Sequence, residues 1–344
     1  MKRIFAPIAA LVVPCVGSAQ KQVRPVEGLH QNDPRVHALV GASVVTPEGA
    51  RKATIIVRDG RIAAVGAGVA VPEAARIWDL EGKRIYPGLV EPWWEREPGG
   101  EENGPHWNSR VRPERRIADG YTLDEDTLDS RRKLGFTVAQ LIPKSGIFRG
   151  QAAIVSLRDG ERGQQVLDPS SGQVLDFATG SGYPNSLMGA VALVRQTFSD
   201  AQWYASAGEA HSDNPAQHER PAADDALASL GAGQRTLWRA RDELDYARIA
   251  RVASEFDLQT TVLGNGYEYR RANELAEFGA PLLIPLAYPK QPAVEDAAAA
   301  LDYSLAQLEH WEFAPSNAAF LANKGIGFAF TTRALEDLKS SFWR

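Results

Sequence analysis

Glu91 and Glu95 are the pair of residues with which a chemical reading of this sequence begins. They lie in the stretch Gly82-Lys83-Arg84-Ile85-Tyr86-Pro87-Gly88-Leu89-Val90-Glu91-Pro92-Trp93-Trp94-Glu95. Ile85 and Tyr86 end a strand, Pro87-Gly88 makes a tight turn, and Leu89-Val90 opens a short buried strand. If both carboxylates point into one mouth, they form a pair able to do general acid and base work without a metal. The alternative is that Glu91 is hydrogen-bonded inside the fold and Glu95 is solvated. Other chemistry is sparse. The six histidines are His30, His37, His106, His211, His218 and His310. None falls at the end of a predicted strand, so a surface or capping role suits each; His211 and His218 share a loop and could make an incidental weak metal site. The single cysteine, Cys15, offers neither a disulfide nor a thiolate metal site. No His-Glu-x-x-His, Gly-x-Ser-x-Gly or Gly-x-x-x-x-Gly-Lys-Ser motif is present. Gly66-Ala67-Gly68 and Gly180-Ser181-Gly182 lack the dinucleotide-binding continuation and read as turns.

The elements that must position these residues follow from composition and pattern. The chain has 344 residues, 44% hydrophobic and 24% charged, enough for a full-sized core. A net charge of −5 gives no basic footprint for nucleic acid or an anionic membrane. Residues 1–19 read as a signal peptide: Lys2 and Arg3, an apolar run from Ile4 to Val16, then Gly17-Ser18-Ala19. The run is too short to span a bilayer, which takes about 20 residues. Export to the periplasm or the exterior is therefore expected, with no membrane attachment after cleavage. Residues 20–37 form an extended lead-in. From Ala38 the pattern turns to strands: Val40 to Val45, Thr54 to Arg58, Arg61 to Val65 and Arg76 to Leu80, with Asp59-Gly60 as a hairpin turn. Arg96 to Pro113 reads as a solvated loop. Helices are expected at Leu123–Leu134, Leu187–Trp203, Asp245–Phe256, Tyr267–Phe278 and Val294–Trp311. Between them lie strands at Gly135–Pro143, Ala152–Leu157, Val174–Phe177, Arg235–Trp238, Leu258–Leu263, Pro281–Leu286 and Ile326–Thr331. This alternation is what a parallel barrel requires.

The segment Gly82 to Val90 resembles the signature of the amidohydrolase superfamily, Gly-x-x-Val-x-Pro-Gly-Leu-Ile-Asp-x-His-x-His. Gly135 to Pro143 with Ser145 to Gln151 is similar to the Gly-Val-Thr-Thr-Val-Gln-Val-Leu-Pro-Gly-Ser…Gly-Gly-Gln segment of its prolidase-like and imidazolonepropionase-like branch. The resemblance implies an α/β fold: a (β/α)8 TIM-type barrel over 89–344, with a partial composite β-sandwich over 38–88. Only Ala334 to Arg344 follow the last strand, where the family returns several strands to its sandwich. A C-terminally incomplete barrel is thus expected, one part of a longer protein or a truncated product. Self-association, or association with a catalytic amidohydrolase-like unit, goes with that expectation.

The resemblance also implies metal-dependent hydrolysis of non-peptide C–N bonds. Family members place two histidines after strand 1, a carboxylated lysine or a glutamate after strand 4, histidines after strands 5 and 6, and an aspartate after strand 8. Here those places hold Trp93 and Glu95, Asp176, Trp238-Arg239, Gly264-Asn265-Gly266 and Thr331-Thr332-Arg333. An indole cannot ligate a metal and a guanidinium repels one. No cofactor is expected, zinc being implied by the resemblance alone. The competing function is a non-catalytic binding or scaffolding unit. The mouth of such a barrel would carry Trp93, Glu95, Lys144, Arg149, Trp238, Arg239, Tyr267, Glu268, Tyr288, Lys290, Thr331 and Arg333. Glu95 and Glu91 are the catalytic candidates; Trp93, Arg239, Arg333, Tyr267 and Lys290 are the ligand-binding ones. Basic and aromatic groups together suit a small anionic or cyclic amide-like ligand. Mutual salt bridges would explain the same residues.

Overall fold

The computed structural model describes residues 35–99, 104, 106–294 and 296–338. The expected signal peptide, and the expected lead-in up to residue 34, lie outside the described residues. After Pro87 the chain divides into two compact units.

The first unit is built from seven short strands: β1 (Val36–Val40), β2 (Ser43–Thr46), β3 (Gly49–Lys52), β4 (Thr54–Arg58), β5 (Arg61–Gly66), β6 (Arg76–Asp79) and β7 (Arg84–Ile85). They form a four-stranded sheet in the order β5-β4-β1-β6 and a three-stranded sheet in the order β3-β2-β7. The strand expected from Val40 to Val45 is in fact two. Gly41 breaks it with a φ of 79°, a conformation that suits glycine, and sends β1 and β2 into different sheets. Asp59 and Gly60 both take positive φ, 50° and 74°, the geometry for which an Asp-Gly hairpin is selected. Val44, Ala53 and Ile55 form a small core, with Leu39, Val57 and Ile85 packed against it.

The second unit carries an eight-stranded sheet: β8 (Leu89–Arg96), β9 (Phe136–Pro143), β10 (Phe148–Ser156), β11 (Val166–Asp176), β12 (Arg235–Arg239), β13 (Gln259–Leu263), β14 (Leu282–Pro285) and β15 (Phe328–Thr331), bonded in sequence order. Its helices are α1 (Glu125–Arg132), α2 (Arg162–Gln165), α3 (Leu187–Asp213), α4 (Asp225–Ala228), α5 (Asp245–Glu255), α6 (Ala272–Phe278), α7 (Ala297–Ala300), α8 (Leu305–Phe313) and α9 (Asn317–Asn323). One expectation needs correction. This is not eight βα repeats, because β10 runs antiparallel to both β9 and β11. No helix separates β9 from β10, so the crossover that a parallel pair needs is missing there. The other neighbouring pairs are parallel.

Strand periodicity sorts the side chains into layers. Trp93, Ile142, Ala152, Val174, Leu237, Leu263 and Leu283, one from each strand from β8 to β14, make the interior layer. Their neighbours Leu175, Trp238, Val262, Leu282 and Ile284 face outward and pack with Leu193, Phe198, Ile249, Leu275 and Leu321 of the surrounding helices. This two-sided burial is why β9 and β14 read as nearly continuous apolar runs. The long helix expected from Val294 to Trp311 is broken. Ser304 starts a fresh helix there, in a capping box with Gln307.

Candidate functional site at the mouth of the barrel

The ends of β8, β11, β12 and β15 bring together two carboxylates and several guanidinium groups. Asp176 closes β11 and is fully buried. Arg241, just beyond β12, binds it with both prongs, Nε to Oδ1 at 2.6 Å and Nη2 to Oδ2 at 2.9 Å. Arg149 donates to the same Oδ2, and Arg239 stands 3.9 Å from it. The other prong of Arg149 reaches Glu95 on β8, Nη1 to Oε1 at 3.1 Å. Arg149 is 2% exposed, so its guanidinium is a buried bridge between the two carboxylates. Arg333, after β15, approaches Glu95 at 3.7 Å. The position of Arg149 has a local cause. The pairing of β10 with β11 slips between Phe148 and Gly150, leaving Arg149 as an extra, bulged residue. Such bulges re-aim one side chain and are common beside functional sites.

The electrostatics follow from burial and crowding. Burial alone would raise the pKa of Glu95; Arg333 and Arg149 outweigh it and hold the carboxyl below its ordinary value. Arg239 shifts downward, first through burial and then through repulsion by Arg333. Arg241 shifts upward through its hydrogen bonds to Asp176.

Of the two readings open for Glu91, the geometry is that of the hydrogen-bonded one. Glu91 is fully buried. Its Oε1 accepts from Thr331 Oγ1 at 2.5 Å and from the Trp93 amide at 3.1 Å. Its Oε2 accepts from the Thr332 amide at 3.0 Å, from Thr332 Oγ1, and from Arg131 at 3.4 Å. With both oxygens so engaged, Glu91 is a clasp between β8 and β15 and not a free base. Glu95 is not solvated as its own alternative had it; its side chain is 22% exposed and ion-paired. Trp93, expected to touch ligand, lies in the interior layer with its indole N–H 3.4 Å from Glu95. Trp238 is likewise buried and faces the helices. Tyr267 stacks on His310 with ring centroids 3.7 Å apart, and Lys290 is exposed and pairs with Glu336. Neither contacts the network. Glu268 is buried, accepting from the amides of Asn265 and Gly266 and from the Tyr246 hydroxyl. It ties down the loop after β13.

A second group of arginines was missed. The segment expected to be a solvated loop up to Pro113 instead docks along β10 from Arg110 onward. Ile147 and Phe148 donate to the Arg110 carbonyl, Arg112 donates to Phe148, and Gln151 donates to Arg115. Val111 and Ile117 are fully buried, and His106 and Asn108 nearly so. Period-two alternation puts Arg110 and Arg112 on one face, away from Val111. The Arg-x-Arg spacings at 110–112 and 239–241 are the available sequence signal. They gain meaning only once the segment is known to dock.

Arg110, Arg112, Arg115, Lys144, Arg149, Arg239 and Arg241 line a cavity of about 620 Å³. A less polar cavity of about 420 Å³, lined by Phe198, Ala201, Leu230 and Phe256, lies in the helical layer and holds no ionisable group.

The residues at the strand ends do not fit a divalent metal. Among the described residues no group of three or more His, Cys, Asp or Glu stands close enough to hold one. Glu95 and Asp176, the two carboxylates available, are each already neutralised by arginine, and a cation placed between them would meet the Arg149 guanidinium.

No family model matches the sequence, and no curated protein matches it. Solved structures do. An amidohydrolase from Thermotoga maritima MSB8 matches with a TM-score of 0.68 at 20% identity, over 86% of this chain and 78% of that one. A prolidase complexed with N-methylphosphonate-L-proline gives 0.43 at 14% identity, over 88% and 79% of the two chains. A β-aspartyl dipeptidase from Fervidobacterium islandicum AW-1, complexed with β-Asp-Leu dipeptide, gives 0.40 at 13% identity, over 87% and 72%. At 20% identity the likeness is one of fold, and in fold this chain is amidohydrolase-like.

Proposed function

We propose that this chain is a binding protein built on an amidohydrolase-like barrel, in which an ion-pair network stands where the family resemblance calls for a metal centre. The observation that carries the reading is Arg149, whose guanidinium joins Glu95 to Asp176 at the mouth. A fixed positive charge there competes directly with a metal ion for the same two carboxylates. It also leaves Glu95 a poor general base, since proton uptake would break its pairs with Arg149 and Arg333. The hydrolysis of C–N bonds implied by the resemblance is, on this reading, not performed by this chain.

The test combines metal analysis with turnover. Protein from metal-replete medium should retain no stoichiometric zinc, manganese or iron after chelator treatment. It should turn over neither N-acyl amino acids nor cyclic ureides, with or without added zinc. About one chelator-resistant metal per chain, the mark of a closed ligand set, would overturn the reading. So would turnover by the wild type that disappears in a folded Glu95→Gln variant.

A further inference from the structure

We propose that the arginine-lined cavity binds a small compound carrying two or more oxyanion groups, such as a phosphate ester or a polycarboxylate. The inference rests on the binding reading above and names its ligand class.

The cavity wall carries seven basic side chains and no acidic one. Among the described residues, the carboxylates paired with them are Glu97, Glu114, Glu95 and Asp176. Glu95 is shared with Arg333 as well, so positive charge is left over. The excess is local, because the whole chain is acidic at −5. A cleft with one sign of charge and low-dielectric walls concentrates ligands of the opposite sign.

Two of the cations form no ion pair with a described carboxylate. Arg110 donates to the Ala178 carbonyl at 3.3 Å. Arg115 donates to the carbonyls of Arg149, at 2.7 Å, and Ser145, at 2.9 Å. Carbonyl partners orient a guanidinium without cancelling its charge. Burial, and then repulsion by Arg112, draws the Arg115 pKa downward, and the opposing pull of Glu114 and Glu97 does not offset them. A third cation, Arg149, keeps its Nε buried without a hydrogen-bond partner among the described residues. A buried donor left open is uncommon and calls for an acceptor.

The backbone holds these groups in place. A Cβ at Gly180 would lie 1.8 Å from Arg110 Nη2, so only glycine lets that guanidinium rest there. Gly150 has a φ of 110°, and a Cβ there would meet the Arg115 carbonyl at 2.3 Å. The volume, about 620 Å³, suits a small molecule and not a polymer. Forked guanidinium donors match the oxygens of phosphate and carboxylate groups.

The experiment is calorimetric titration of the full chain with pyrophosphate, citrate and acetate, at matched ionic strength and with EDTA present. Saturable binding of pyrophosphate or citrate with a Kd below about 1 mM is expected, and none of acetate. The preferred ligand separates the phosphate source from the carboxylate one. Arg110→Met should weaken binding by at least about tenfold, Arg110→Lys by less, and Arg195→Met, which breaks only an outer pair with Glu255, not at all. Should Arg110→Met fail to fold, Gly180→Ala replaces it, since the added Cβ displaces the same guanidinium. No saturable binding by folded wild type, or binding indifferent to both variants, overturns the inference. The titration is repeated with zinc in place of EDTA, and failure of the underlying reading would look different: anion binding would appear in that arm alone.

Discussion

Asp176 and Glu95 are both carboxylates held by arginine, but they differ in what their loss leaves behind. Asp176 is fully buried and takes donors from Arg149 and both prongs of Arg241. Asp176→Asn keeps the shape but leaves buried Arg149 with Glu95 alone and Arg241 without its carboxylate, so a loss of about 3–5 kcal/mol is expected in urea denaturation. A loss under about 1 kcal/mol would mean the arginines relax to solvent. Glu95 is partly open, and Glu95→Gln should cost roughly 1.5–3 kcal/mol at pH 7, the worth of a hydrogen bond to a charged group. Its effect must also depend on pH. Burial opposes ionisation of Glu95, yet Arg333 and Arg149 prevail and lower its folded pKa. A depressed carboxyl stabilises the fold above the unfolded value of about 4.3, and that contribution disappears as pH falls through the folded value. Wild type and Glu95→Gln should therefore differ most near neutrality and converge in acid, as read by denaturation across pH. A difference that grows below pH ~4 would reverse the sign and refute the assignment. At this scale the sequence was half legible. Arg149, Arg239 and Arg333 stand out because they sit at strand ends. Arg110, Arg115 and Arg241 do not, because their place depends on a segment docking against β10 and on a turn beyond β12.

The seam between β15 and β8 is held by a different means from the other strand pairs. Ladder hydrogen bonds join each neighbour from β8 through β15, but β15 and β8 are the two ends of that order. Glu91 spans them, holding Thr331 Oγ1, the Thr332 amide and Arg131. Glu91→Gln puts an amide N–H₂ among those donors and removes the charge Arg131 answers. Buried donors then face a donor, at a cost of about 1–3 kcal/mol for each group left unsatisfied. Because β15 bonds only to β14, this loss should be local. Amide hydrogen exchange should accelerate over Phe328–Thr331 by more than over β11 to β13. Uniform acceleration would show that the seam has no separate stability. Element positions were largely legible, because strands buried on both faces read as short apolar runs between turn residues. Three features were not. The direction of β10 leaves no trace in hydrophobic pattern, since an antiparallel strand buried on both sides looks the same. The docking of the segment around Val111 and Ile117 was masked by the charge and turn residues beside them. The break near Ser304 was hidden because Val294 to Trp311 is rich in alanine and leucine throughout, and a capping Ser-x-x-Gln outweighs that uniform propensity.

Across the whole molecule, core size divides the chain unevenly. The first unit buries mostly small side chains, Ala38, Ala42, Val44 and Ala53, with Ile55 and Ile56 as its largest. The second buries Trp93, Trp238, Phe148, Phe177 and many leucines and isoleucines. Burial contributes about 25 cal/mol per Å² of apolar surface, and a small unit buries a smaller fraction of its chain. Residues 35–87 should therefore give way at lower denaturant than the barrel, making unfolding a two-step process outside the two-state description. Tryptophan placement supplies the assay. Of the eight tryptophans, Trp78 alone lies before Pro87. Its indole donates to His37 Nδ1 at 3.1 Å, and the Arg76 guanidinium lies 4.3 Å above its ring. Unfolding of that unit releases both contacts and should change Trp78 emission while the other tryptophans still report a folded barrel. Equilibrium urea titrations of wild type should show an early, small fluorescence step and a later, large one. In Trp78→Phe the early step should vanish from fluorescence but persist in far-UV circular dichroism, because the strands still melt there. If fluorescence and circular dichroism instead trace one coincident transition in both proteins, the two units unfold together and the unequal cores do not set their order.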